Sequence, residues 1–183
     1  MARRTAQALA AQVRQALYTL GETKPRADRT SLARLRMDTG KLLFRTMRLT
    51  GRAPGPGALS LYGRLFGSLG EAGLDRDMQD WSRHAIAPWT LTHAGHDVGV
   101  GGFRIGFADD GLEVLFHFVP EVWGQGLASE FLNAALEHAQ TTLRETRFFG
   151  FTQPDEIASR RVMEKAGFVV AESDGPDLLM RLN

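Results

Sequence analysis

An apolar run from Val114 to Val119 halts at Pro120, and Glu121-Val122-Trp123-Gly124-Gln125-Gly126-Leu127-Ala128 leads from it into a helical stretch, Ser129 to Leu143. Phe131, Leu132, Ala135, Leu136 and Ala139 form one stripe along that stretch, so it has a face to bury. A strand, a glycine turn and a helix in immediate succession constrain this chain more than any other feature. Two glycines one residue apart let the main chain turn tightly and come close to a ligand, because no Cβ intervenes. The first amides of a helix have no partners inside it, and its dipole favours negative charge at that end. The pattern predicts a phosphate seat made by the main chain of residues 124–129.

The rest of the chain reads as strands and helices in alternation. Ala2 to Leu20 has Leu9, Val13, Leu17 and Leu20 at helical spacing, with Gly21 as a stop. Glu22 to Thr30 reads as a linker, and Lys41 to Leu49 as a first strand. Gly51 to Gly57 is loop-like by its glycines and prolines. Ala58 to Leu69 and Asp75 to Ile86 read as helices, with Asp75 and Asp77 placed to complement the dipole of the second. A meander follows: Trp89 to His93, Val98 to Ile105 and Glu113 to Val119, joined by the turn residues of 94–97 and 108–111. Phe148 to Phe151 is a strand. Asp155 to Ala166 is a helix, with Ile157, Ala158, Val162 and Ala166 expected inward and Gly167 closing it. Val169 to Ala171 and Leu178 to Leu182 are the last strands. The order predicts an α/β mixed sheet.

Composition removes several chemistries. The sequence has no cysteine, so disulfides, thiolate catalysis and Cys-based zinc sites are excluded. The five histidines show no metal-ligand spacing, so no metal is expected. No apolar run reaches the roughly 18 residues of a membrane span, and the N-terminus lacks the apolar core of a secretory signal; a cytoplasmic location is the expectation. The net charge of +1 conceals an asymmetry, since residues 1–52 hold 12 Lys/Arg against 3 Asp/Glu. A basic N-terminal part on an acidic body points either to an anionic partner, such as nucleic acid or the ribosome, or to a solvated helix folding back.

Two blocks carry a resemblance. Trp123-Gly124-Gln125-Gly126-Leu127-Ala128 resembles the acyl-CoA pyrophosphate loop of GNAT N-acetyltransferases. Pro154-Asp155-Glu156-Ile157-Ala158-Ser159-Arg160-Arg161-Val162-Met163-Glu164-Lys165-Ala166-Gly167-Phe168 is similar to a block of the branch that includes the ribosomal-protein N-terminal acetyltransferases, RimJ/RimL-like. The resemblance covers about residues 39–183 and leaves residues 1–38 as a basic helical extension. It implies a GNAT-like, mostly antiparallel central sheet flanked by helices, with an extra N-terminal helix. It also implies an acyltransferase that moves an acetyl group from acetyl-CoA, as co-substrate, to a primary amine. That amine would be a protein N-terminus or a small amine, and the protein a monomer or homodimer. The alternative is a non-catalytic acyl-CoA-binding sensor or interaction module with a basic docking helix.

By the same resemblance, Gly124, Gln125, Gly126, Leu127, Ala128 and Ser129 would hold the pyrophosphate, and the backbone of Phe118 and Val119 the pantetheine. Glu113, Leu115, His117 and Val119 share one face of their strand, since side chains alternate. His117 is then either the general base or a hydrogen-bonded strand residue. Glu113 is either an alternative base acting through water or an exposed strand-end carboxylate. The superfamily's usual acid is a tyrosine, and Met163, which cannot donate, holds its place. Ser159 is the candidate for contacting the CoA sulfur or pantetheine; its other reading is a helix serine bonded to its own turn. Glu156 stands where the family has Asn.

Overall fold

The computed structural model describes residues 44–105, 111–172 and 177–183. The expected helix at Ala2–Leu20, the linker after it and the start of the first strand lie outside them, as does most of the 108–111 turn. One eight-stranded sheet organises the described chain: β1 (Phe44–Arg45), β2 (Leu49–Arg52), β3 (Trp89–His93), β4 (His96–Ile105), β5 (Leu112–Phe118), β6 (Phe148–Thr152), β7 (Phe168–Glu172) and β8 (Leu178–Leu182), in the order β1-β2-β3-β4-β5-β6-β8-β7. Every pairing is antiparallel except β5 with β6. Among the described residues four α-helices flank the sheet: α1 (Leu59–Phe66), α2 (Gly70–His84), α3 (Leu127–His138) and α4 (Ile157–Lys165).

The strands β3, β4 and β5 form where alternation predicts them, although β4 begins at His96, inside the stretch 94–97 read as a turn. The first strand does not run straight. Thr46 breaks it, because its Oγ1 accepts the Leu49 amide at 2.9 Å while its own amide donates to Leu49 O at 2.8 Å. A hairpin results, and Gly51-Arg52, read as loop, becomes the end of β2.

Register sorts the sheet's two faces. Gly101 pairs with Phe116 and Gly99 with Phe118, on the face that α3 covers. A Cβ on Gly101 would lie 2.8 Å from the Phe131 ring, so glycine there lets α3 settle onto the sheet. Phe131 meets Phe44, Trp89 and Phe118 edge-on, which joins four elements in one core. Val100, Arg104, Glu113 and His117 point to the opposite face, toward α1 and α2.

That opposite face holds a polar network that the sequence reading misplaces. Helix α2 begins at Gly70, so Asp77 lies in its middle and not at its start; Glu71 is the acid of the first turn. Asp77 is fully buried. It accepts hydrogen bonds from the Tyr62 phenol at 2.9 Å and from Arg104 Nη2 at 2.9 Å, with Arg76 Nη2 at 3.4 Å. Burial first, and then the Asp77 carboxylate, pushes the Tyr62 phenol far above its ordinary value, so it remains a donor. Asp77→Ala strips both the half-buried Arg104 guanidinium and the buried Tyr62 phenol of this acceptor. The expected loss is about 3–5 kcal/mol, read from urea unfolding monitored by tryptophan fluorescence.

Candidate active site

Strands β5 and β6 pair over only two positions, Leu112 with Phe148 and Glu113 with Phe149. Beyond these, β5 continues to Phe118 and β6 to Thr152, while β6 takes its partner from β8 on its other side. The parallel pair therefore opens into a gap. Main-chain groups at its rim can be assigned by alternation along β5. Leu112 donates its amide to Arg147 O, on the β6 side, and Val119 donates its amide to Val98 O, on the β4 side. Even-numbered amides thus face β6, which leaves those of Phe116 and Phe118 directed into the gap. Phe118 O accepts the Trp123 indole N–H at 2.7 Å. Trp123 is itself 67% exposed and is tethered at the rim by that bond.

The glycine loop lies at the end of β5. Gly124 and Gly126 both adopt left-handed backbone, with φ of 75° and 76°, and Gly126 is the N-cap of α3. The stretch 123–126 is exposed. Among the described residues, none of the amides of residues 124–129 donates to a main-chain carbonyl, whereas Glu130 N, the next along, reaches Gly126 O at 3.1 Å. Open amides converging at a helix N-terminus are donors that suit a diphosphate. Arg48, from the hairpin turn, stands beside them, and nothing in the sequence pattern placed it there. Its Nη1 donates to Gln125 O at 2.9 Å and its Nε to Glu130 Oε2 at 2.6 Å.

Helix α4 closes the β6 side of the gap. The sulfur-bearing side chain of Met163 is buried, and its Cε lies 2.7 Å from where a Cβ on Gly150 would stand, next to Val114 O. Val162 and Ala166 of α4 pack against the core as expected, joined by buried Met163, while Ile157 and Ala158 of the first turn are exposed. Glu156 Oε2 accepts from Thr152 Oγ1 at 3.3 Å and from the Gln153 amide at 3.2 Å, which ties the start of α4 to the end of β6. Ser159 sits between Glu156 and Met163 on this same face, three residues after one and four before the other. It is half-buried, and among the described residues its hydroxyl bonds to no acceptor in its own turn.

His117 is exposed on the α1–α2 face, with its ring edge-on to Phe66 at 5.0 Å between centroids. Glu113 differs from the exposed strand-end carboxylate expected of it: it is 5% exposed and paired across the strands with Arg104. His117 and Ser159 therefore approach the gap from opposite faces of the sheet. Among the described residues no group of three His, Asp or Glu side chains is placed to hold a metal, and no helix is long and apolar enough to cross a membrane.

Residues 67–169, more than half of the chain, match the family model described as an acetyltransferase (GNAT) domain. The chain belongs to the GNAT acetyltransferase family. It is thus an acyltransferase, and GNAT enzymes draw the acetyl group from acetyl-CoA. Solved structures share this GNAT architecture. An acetyltransferase from Agrobacterium tumefaciens superposes with a TM-score of 0.66 at 21% identity, over 76% of this chain and 92% of that one. The microcin C7 self-immunity acetyltransferase MccE, solved with acetyl-CoA and AMP, gives 0.63 at 15% identity over 83% and 97%. RimJ of Mycobacterium smegmatis, solved with CoA-disulfide, gives 0.61 at 16% identity over 73% and 81%. At these identities the likeness is one of fold.

Proposed function

We propose that this GNAT domain, spanning about residues 39–183, acetylates a primary amine by direct attack within a ternary complex. The observation that carries the reading is the adjacency of the open amides at 124–129 to the gap that begins after Glu113 and Phe149. The diphosphate of acetyl-CoA would lie on Gly124, Gln125, Gly126, Leu127, Ala128 and Ser129. Its pantetheine arm would enter between β5 and β6 along Phe118 and Val119. The acetyl carbonyl would then accept from the amides of Phe116 and Phe118, which stabilise the charge that builds on oxygen.

The acceptor would come from the α1–α2 face, where His117 is exposed. As the amine nitrogen bonds to the thioester carbon, its proton passes to the imidazole and the C–S bond breaks. The departing thiolate gains a proton from water or the Ser159 hydroxyl. Glu113, buried and facing Arg104, would act through its charge on this face and not by touching the amine. The acceptor class nearest to the two sequence blocks is a protein N-terminus, as in the ribosomal-protein branch. An α-amine, with an ordinary pKa near 7.7–8.0, is already partly neutral and so needs little help from a base.

The direct test incubates purified protein with acetyl-CoA and a panel of peptides, polyamines and small amines, and follows thiol release. Turnover with at least one amine is expected, whereas none with any would overturn the reading. Ser159→Ala is expected to lower kcat about tenfold, the size of one hydrogen bond of roughly 1.4 kcal/mol, with acetyl-CoA affinity changed less than kcat. Equal losses in both would reduce Ser159 to a ligand contact.

A further inference from the structure

Glu130 occupies the first turn of α3, one residue beyond the proposed diphosphate seat. A carboxylate there suits the helix dipole but opposes a diphosphate at the same helix end. The protein surrounds it with donors from the β1–β2 hairpin, which is 82 to 84 residues away in sequence. Thr46 Oγ1 donates to Oε1, the Arg48 amide donates to Oε1 at 2.8 Å and Arg48 Nε donates to Oε2 at 2.6 Å. Burial alone would raise the Glu130 carboxyl; the bonds from Thr46 and Arg48 outweigh it and hold the group below the usual carboxylate range. It is therefore charged at neutral pH.

Arg48 also reaches the loop itself. Its Nη1 holds Gln125 O at 2.9 Å, and because a peptide is planar and trans, the Gly126 amide of that unit points the opposite way. Its Nη2 lies 3.7 Å from the position of a Cβ on Gly126. The Arg48 carbonyl in turn accepts from His93 Nδ1 at 2.9 Å, so the turn is fixed from beneath by β3.

We infer that Arg48 is a positioning residue for acetyl-CoA, which cancels the Glu130 charge beside the glycine loop and so lets the amides of residues 126–129 take a diphosphate. This rests on the seat assigned above. A guanidinium held in two directions does this better than a lysine, whose ammonium is a point charge on a flexible stem.

The experiment compares wild type, Arg48→Ala, Glu130→Gln and the double variant by calorimetry with acetyl-CoA. It also compares their turnover with S-acetylpantetheine, which lacks the diphosphate. Arg48→Ala is expected to raise the Kd for acetyl-CoA about 10- to 30-fold, leave the KM for the amine unchanged and use S-acetylpantetheine as wild type does. Removing the opposing carboxylate should restore the double variant to within about threefold of wild type. A double variant as weak as Arg48→Ala overturns the charge-cancelling role. Equal losses with acetyl-CoA and S-acetylpantetheine overturn it too, since they mark general damage to the fold. A wild type that binds while Arg48→Ala binds equally well overturns this inference alone; a wild type that binds no acetyl-CoA overturns the seat and the inference with it.

Discussion

Gly126→Val is expected to stay folded and to lose acetyl-CoA affinity by at least about 100-fold in a calorimetric titration. Valine is disfavoured at a φ of 76°, where a Cβ crowds its own carbonyl. That strain costs about 1–2 kcal/mol, less than the roughly 5–15 kcal/mol that keeps a domain folded. The new Cβ itself meets no clash, because among the described residues only the Arg48 guanidinium comes within 4 Å of it, at 3.7 Å. The ligand suffers much more. Relief of the strain turns the 125–127 peptides, which redirects the amides at the start of α3. The branched side chain also enters the open space beside Arg48. A 100-fold loss corresponds to about 2.8 kcal/mol, the scale of one to two charge-assisted hydrogen bonds. Unchanged melting with normal acetyl-CoA binding would place the seat elsewhere.

His117→Ala carries the second large effect. The imidazole is exposed on the face opposite α3 and is held edge-on by Phe66, so its removal should leave the fold intact. General bases contribute about 10²–10⁴ in rate, and a loss of roughly 100-fold in kcat/KM for the amine is expected. Acetyl-CoA affinity should change by less than threefold. The acidic limb of the wild-type kcat/KM profile should flatten in the variant, because the base that has to be unprotonated is gone. A variant that keeps the wild-type limb would assign proton removal to another group or to bulk water. The effect should be larger for a lysine-like amine, with a pKa near 10.4, than for an α-amine.

What the sequence discloses and what it hides have separate physical causes. The meander is legible because alternation and turn residues are local signals; β3 begins and ends where expected. The glycine loop is legible for the same reason, since a left-handed backbone demands glycine at the position itself. Arg48 is hidden because its partners, Gln125 and Glu130, come near only after a hairpin forms at Thr46, and the run 41–49 looks like one unbroken strand. Asp77 is read as a dipole partner because a buried aspartate cannot be told from an exposed one without knowing that Tyr62 and Arg104 converge on it. Glu113 is misread alike, as its cross-strand neighbour Arg104 comes from register and not from spacing. Only the first turn of α4 is misread: the helix starts at Ile157, with Glu156 held back by Thr152 and Gln153, so Ile157 and Ala158 stay exposed while Val162 and Ala166 pack inward.

The most direct test is a crystal structure of this protein soaked with CoA. The diphosphate oxygens should lie within about 3 Å of the amides at the start of α3, with the sulfur in the gap beyond Glu113 and Phe149. A diphosphate bound away from Gly124–Ser129, or a β5–β6 gap filled by side chains with CoA in place elsewhere, would contradict the assignment.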